Sequence, residues 1–195
     1  MHKHLLAAAV AAFALSSATS FAADAAKAAP AAPKPAAAAP APAHPELATL
    51  DFFVGTWSCT GKAFASPMGP EHETTATVHA TKSVGDMWIH VNYDENKTAA
   101  NKTPYHVGVY MGYDAGAKKF VQGCVDGFGG YCTQSSPGWN GDTLVFEGTA
   151  NGSGQPMGVR DTFIKKGAKE LVHAGEMQGD NKQWAQTDKE TCKRK

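Results

Sequence analysis

From Val54 to the C-terminus, Gly, Pro, Asn and Asp recur about every ten residues, with Val, Ile, Thr, Tyr, Phe and Trp between them. No window carries a sustained apolar stripe at i, i+3, i+4, i+7. Such punctuation leaves room for short strands and tight turns and almost none for helices. The exception is Pro45 to Phe52, where the spacing predicts one helical turn ahead of the first strand.

The turn chemistry marks ten strands: Gly55–Ala65, Glu71–Val84, Met87–Asp94, Pro104–Tyr113, Lys119–Asp126, Gly130–Ser136, Thr143–Thr149, Pro156–Lys165, Lys169–Met177 and Lys182–Cys192. Every link is short, so each strand pairs with the next in antiparallel fashion. An open meander of this length exposes two long edges, and closure removes them. An even count sets the last strand antiparallel to the first. The reading is therefore all-β, a closed antiparallel up-and-down barrel of about ten strands. A two-sheet sandwich needs longer crossovers than the chain offers.

The cysteines agree with closure. Cys124 and Cys132 lie symmetrically about Phe128, as opposite positions of one hairpin do. Cys59 opens the first strand and Cys192 ends the last. Four cysteines allow three pairings, and Cys59–Cys192 with Cys124–Cys132 is the one that fits a meander simply. The alternatives, free thiols or a metal cluster, are disfavoured by the even count and by the lack of Cys-x-x-Cys spacing.

Residues 1–22 read as a signal peptide: a basic start at Lys3, an apolar run from Leu5 to Leu15, and a small-residue cleavage motif at Ser20-Phe21-Ala22. Residues 23–45 are Ala, Pro and Lys almost throughout and read as a disordered, extended linker. The domain is then 46–195, long enough for one real core. Setting aside Lys3, Lys27, Lys34 and Asp24 leaves it 15 basic and 17 acidic residues. A near-neutral domain gives no footing for nucleic acid. The expected location is periplasmic or secreted, with no integral membrane segment in the mature chain.

Alternation assigns faces. In the first strand Gly55, Trp57, Cys59 and Gly61 share the inward face, and Trp57 reads as a plug at one end of the barrel. Other inward sets include Ile89, Val91 and Tyr93; Val107, Val109 and Met111; Leu144 and Phe146; and Met157, Val159 and Phe163. The expectation is an apolar interior with room for a small ligand.

Leu50-x-x-Phe53-Val54-Gly55-x-Trp57, then Cys59-x-Gly61, resembles the opening of an uncharacterised bacterial family of exported calycin-like barrels, a domain of unknown function (DUF1579-like). Gly108-Val109-Tyr110-x-Gly112-Tyr113-Asp114, Gly138-Trp139-x-Gly141, Leu144-x-Phe146-x-Gly148 and Arg160-Asp161 fit it too. The resemblance implies a lipocalin-like barrel and no assigned activity. The Gly-x-Trp element is also similar to haem-binding nitrobindins, which hold haem through one histidine on a late strand; His173 is the matching position.

The candidate ligand-binding residues are Trp57, Tyr110, Arg160 and His173. Arg160 and Asp161 are adjacent, so one faces inward; an inward Arg160 would grip a carboxylate, with Tyr110 and Glu176 as neighbours if they share its face. His79, His90 and His106 sit on three successive strands but alternate with the apolar set, so they read as an outward row and no metal is assigned. There is no Gly-x-Ser-x-Gly, Walker loop or His-Glu-x-x-His. The leading expectation is an exported, non-catalytic barrel binding a small apolar or amphipathic ligand without a cofactor. The alternatives are haem or nitric-oxide binding through His173, and a protein-interaction or protease-inhibitor module that uses the N-terminal arm.

Overall fold

The computed structural model describes residues 44–152 and 154–195. The signal-peptide reading, and all of the linker reading except its last two residues, lie outside them. Among the described residues, no helix is long and apolar enough to cross a membrane.

A 3-10 helix, Pro45–Phe53, leads into eleven strands. They are β1 (Gly55–Ala63), β2 (His72–Ser83), β3 (Trp88–Glu95), β4 (His106–Asp114), β5 (Lys119–Asp126), β6 (Tyr131–Ser136), β7 (Trp139–Asn140), β8 (Thr143–Gly152), β9 (Gln155–Gly167), β10 (Glu170–Gln178) and β11 (Trp184–Arg194). Each pairs antiparallel with its chain neighbour, except that β6 pairs with β8, and β1 pairs with β11. Ten strands thus close on themselves, and the two-residue β7 lies outside the ring against β8. The sequence placed nine of the ten barrel strands to within two residues at each end; β8 runs three residues beyond the expected Thr149. The two residues of β7, Trp139–Asn140, fall outside the ten strands expected from the sequence.

The two disulfides span neighbouring strands. Cys59 faces Cys192 across β1 and β11, with Cα atoms 4.0 Å apart. Cys124 faces Cys132 across β5 and β6, at 4.9 Å.

The inward phase is the one alternation indicates: Trp57, Cys59, Ala76, Ala80, Ile89, Met111, Leu144 and Phe146 are all buried. The buried apolar residues gather at one end. Leu47, Leu50 and Phe53 of the 3-10 helix close that end over Trp57, Ile89, Phe120 and Leu144. Trp57 is 2% exposed, and its Nε1 donates to the Phe53 carbonyl at 2.8 Å, tying the plug to the helix. Burying such a ring with its one donor satisfied is a large stabilising term. Trp139 stacks on Phe53 and meets Phe52 edge-on, which accounts for the short β7. Arg194 lies over the Trp57 ring and donates to the Phe52 and Val54 carbonyls; Lys165 lies over Trp139. The closed end is thus apolar within and cationic at its rim.

Candidate functional site

Beyond the Cys59–Cys192 layer, the inward residues turn polar. This corrects the expectation of an apolar interior throughout. Counting two and four positions back from Cys192 along β11 gives Glu190 and Asp188. Register sets Glu190 opposite His173, and Asp188 opposite Gly175, on β10; Asp161 of β9 is also opposite Gly175. Gln122 of β5 and Gln134 of β6 complete the layer.

His173 joins this cluster. Its Nε2 is 3.1 Å from Asp161 Oδ1, and its Nδ1 is 3.1 Å from Asp188 Oδ2. Burial works against a charged imidazole, but Asp188 and Asp161 outweigh it and raise the His173 pKa well above the usual 6.5. Burial likewise opposes a charged Asp188, yet His173 holds its pKa below the ordinary 3.8. The three form a carboxylate–imidazolium–carboxylate row, with one positive charge between two negative ones.

Glu190 is 3% exposed and accepts two hydrogen bonds at Oε1, from Thr74 Oγ1 and, at 2.9 Å, from Tyr93 Oη. Burial raises its pKa above the ordinary 4.5, against the lowering effect of those donors. Burial first, then the Glu190 charge, pushes the Tyr93 phenol far up, so it stays a donor. Gln122 Nε2 donates to Gln134 Oε1, and to Asp161 Oδ2 at 3.0 Å. Gln122 Oε1 and Gln134 Nε2 are buried without a partner.

Two inward glycines make room for these acids. A Cβ on Gly61 would run into the Lys189 carbonyl and stand 2.6 Å from Glu190 Cα. One on Gly175 would meet the Asp188 carboxylate and stand 2.8 Å from Thr187 Oγ1. The β10–β11 register slips beside Gly175, where Gln186 pairs with Glu176, Asp188 with Gly175 and Thr187 is extra. A bulge of this kind re-aims the side chains beside it.

Nearer the open end, Glu95 is 5% exposed and accepts from the Asn101 side chain at Oε1 and the Tyr105 N–H at Oε2. His72 Nε2 lies 2.9 Å from Glu95 Oε1. The Pro70 carbonyl raises the His72 pKa most, burial opposes, and Glu95 adds to the rise.

Solvent reaches inward side chains of the open half. His173 sits mid-strand, yet its side chain is 22% exposed, and those of Asp161 and Asp188 are 29% and 32%. The inward residues Val107, Val159 and Met177 are also only half-buried. Inward side chains that still meet solvent lie below an opening rather than in a sealed core.

Of the sequence candidates, the structure brings one into this polar cluster. His173 faces inward. Trp57 plugs the opposite end. Tyr110 is 41% exposed and stacks on His90 outside the barrel. Arg160 also faces outward: it forms a two-pronged pair with Glu176, at 2.8 and 2.9 Å, and lies over Trp184. Asp161, not Arg160, takes the inward position, because Met157, Val159 and Phe163 share its phase. His79 and His106 face outward with His90, and register sets them opposite Asn92, Asp94 and Tyr110, respectively His79, His106 and His90, rather than against one another. Haem held through His173 does not fit these residues, since a carboxylate engages each ring nitrogen and leaves no lone pair for iron.

The ten-strand ring with one plugged and one polar end defines a closed calycin-type barrel. Residues 40–194 match the family model described as "Protein of unknown function (DUF1579)", and the chain belongs to that family. Among solved structures it is similar to the crystal structure of Rv2717c from M. tuberculosis, at a TM-score of 0.62 and 14% identity, covering 79% of this chain and 99% of that one. At that identity the likeness speaks for the fold. No curated protein matches.

Proposed function

We propose that this protein is an exported, non-catalytic barrel that takes a small amphipathic molecule into its open half. The observation that carries the reading is the accessibility of His173, Asp161 and Asp188, mid-barrel residues that a filled core would seal. Half-buried valines on the walls suit the apolar part of such a ligand, and the polar floor suits its head. A wholly apolar ligand is a poor match, because it would strip water from two carboxylates and an imidazolium without replacing their hydrogen bonds. Two disulfides support an oxidising location. The Asp–His–Asp row has both ends occupied by carboxylates and no hydroxyl or thiol nucleophile on the imidazole, which supports a binding role. Native mass spectrometry of protein isolated from its own source tests the proposal. A small molecule bound one to one is expected; a bare mass in every preparation, with no uptake of added amphiphiles, overturns it.

A further inference from the structure

We infer that the chamber selects its ligand by a cationic, hydrogen-bond-donating head, of the class of a protonated primary amine carrying a short apolar tail. The inference rests on the chamber reading above and names the chemistry of its floor.

The charge balance is the main support. The open half turns five carboxylates inward, Glu95, Asp126, Asp161, Asp188 and Glu190, against two imidazoles, His72 and His173. Among the described residues the inward-phase cations Lys82, Lys165 and Arg194 stand at the closed end, Lys82 paired with Asp51 of the 3-10 helix and the other two over the aromatic plug. Asp161 and Asp188 share the single charge of His173, so their row keeps an unbalanced negative charge. Beside these partly buried carboxylates an added cation is drawn to the row, and an added anion is repelled.

An independent observation points the same way. Gln122 is 5% exposed, and its amide lies in the cluster, with Nε2 on Asp161 Oδ2 at 3.0 Å; its Oε1 has no donor. Buried amide oxygens are nearly always paired. An ammonium group beside Asp161 would supply hydrogen bonds to both acceptors.

Three probes with one tail separate head from chamber: octylamine, 1-octanol and octanoate, titrated into the full chain by calorimetry at neutral pH. Octylamine is expected to bind about tenfold or more tighter than octanol, as a charge-assisted contact would give, with octanoate weakest. The ring resonances of His173 should move on adding octylamine, and Asp161→Asn should bring the amine-to-alcohol ratio towards one. Octanol or octanoate binding as tightly as the amine, or amine binding that leaves the His173 signals unmoved, overturns the head-group inference while the chamber stands. Binding of none of the three overturns both. The wild-type titrations and the His173 signals decide the matter even if the variant does not fold.

Discussion

Cys59 and Cys192 face each other across the seam between the first and last barrel strands, 133 residues apart in the chain. The bond therefore constrains nearly the whole domain, whereas Cys124–Cys132 closes a hairpin of separation 8. In the loop-entropy account the longer closure contributes more.

The double variant Cys59→Ala/Cys192→Ala should lose about 2–5 kcal/mol, and Cys124→Ala/Cys132→Ala less. Urea unfolding of the two variants beside the parent checks the order. Non-reducing peptide maps should return both linked pairs; a scrambled map would break the argument for a stapled seam.

Trp57→Ala should lose about 3–5 kcal/mol, since it empties the plug at the centre of the closed end. Trp57→Phe should lose less but more than nothing, because the Phe53 carbonyl then lacks its donor. Because the plug lies opposite the chamber, Trp57→Phe should leave ligand uptake intact. Thermal melts and the octylamine titration, run together, test both halves of the claim.

Much of this was legible in the sequence, and the reasons are local. Turn residues at Gly85-Asp86 and Asn140-Gly141 mark strand ends directly. Cysteines on the first and last strands of a meander mark closure. The polar floor was legible in principle: Gln122 shares phase with Phe120 and Cys124, Asp161 with Val159 and Phe163, and Glu190 with Cys192. Polar residues at inward positions violate the apolar alternation, and such violations are where function concentrates. The extra Thr187 was beyond reach, because a bulge depends on how two strands settle against each other rather than on either alone. So was the pairing of His173 with both aspartates, which needs the register of three strands.

Stability should vary with pH through His173 and Asp188. The folded His173 pKa is raised above 6.5, with burial opposing and Asp188 and Asp161 prevailing. Its contribution is therefore fully present below the unfolded pKa and is lost as pH rises through the folded one. The folded Asp188 pKa is lowered below 3.8, burial again opposing and His173 prevailing. Its contribution is present above the unfolded pKa and is lost as pH falls through the folded one. Urea midpoints should thus hold between these limits and decline on both sides. His173→Gln should remove the alkaline decline; a decline that persists unchanged in this variant would assign it to other groups.

Gly175→Ala should be destabilising by about 1–3 kcal/mol, since the methyl group meets Asp188 and Thr187 at the bulge. Displacing Asp188 should also lower the His173 pKa. Following the His173 ring signals through a pH titration separates this from a general loosening, which would broaden signals without moving their midpoint.

Arg160 and Asp161 are neighbours in the chain and lie on opposite faces of β9, so their substitution should diverge. Arg160 is 26% exposed and pairs with Glu176, also 26% exposed, on the outside. Arg160→Ala should remove a partly screened pair and a stacking contact, for about 0.5–1 kcal/mol, and leave ligand uptake unchanged. Asp161→Asn should lose more, about 1–3 kcal/mol, because it takes one carboxylate from a protonated His173 and changes the group that Gln122 Nε2 donates to. It should also bring the His173 pKa down towards its ordinary range. Unfolding curves, His173 titration and amphiphile binding, measured on both variants, form one comparison. Equal effects from the two substitutions, or a larger change in binding from Arg160→Ala, would place the recognition surface outside the barrel.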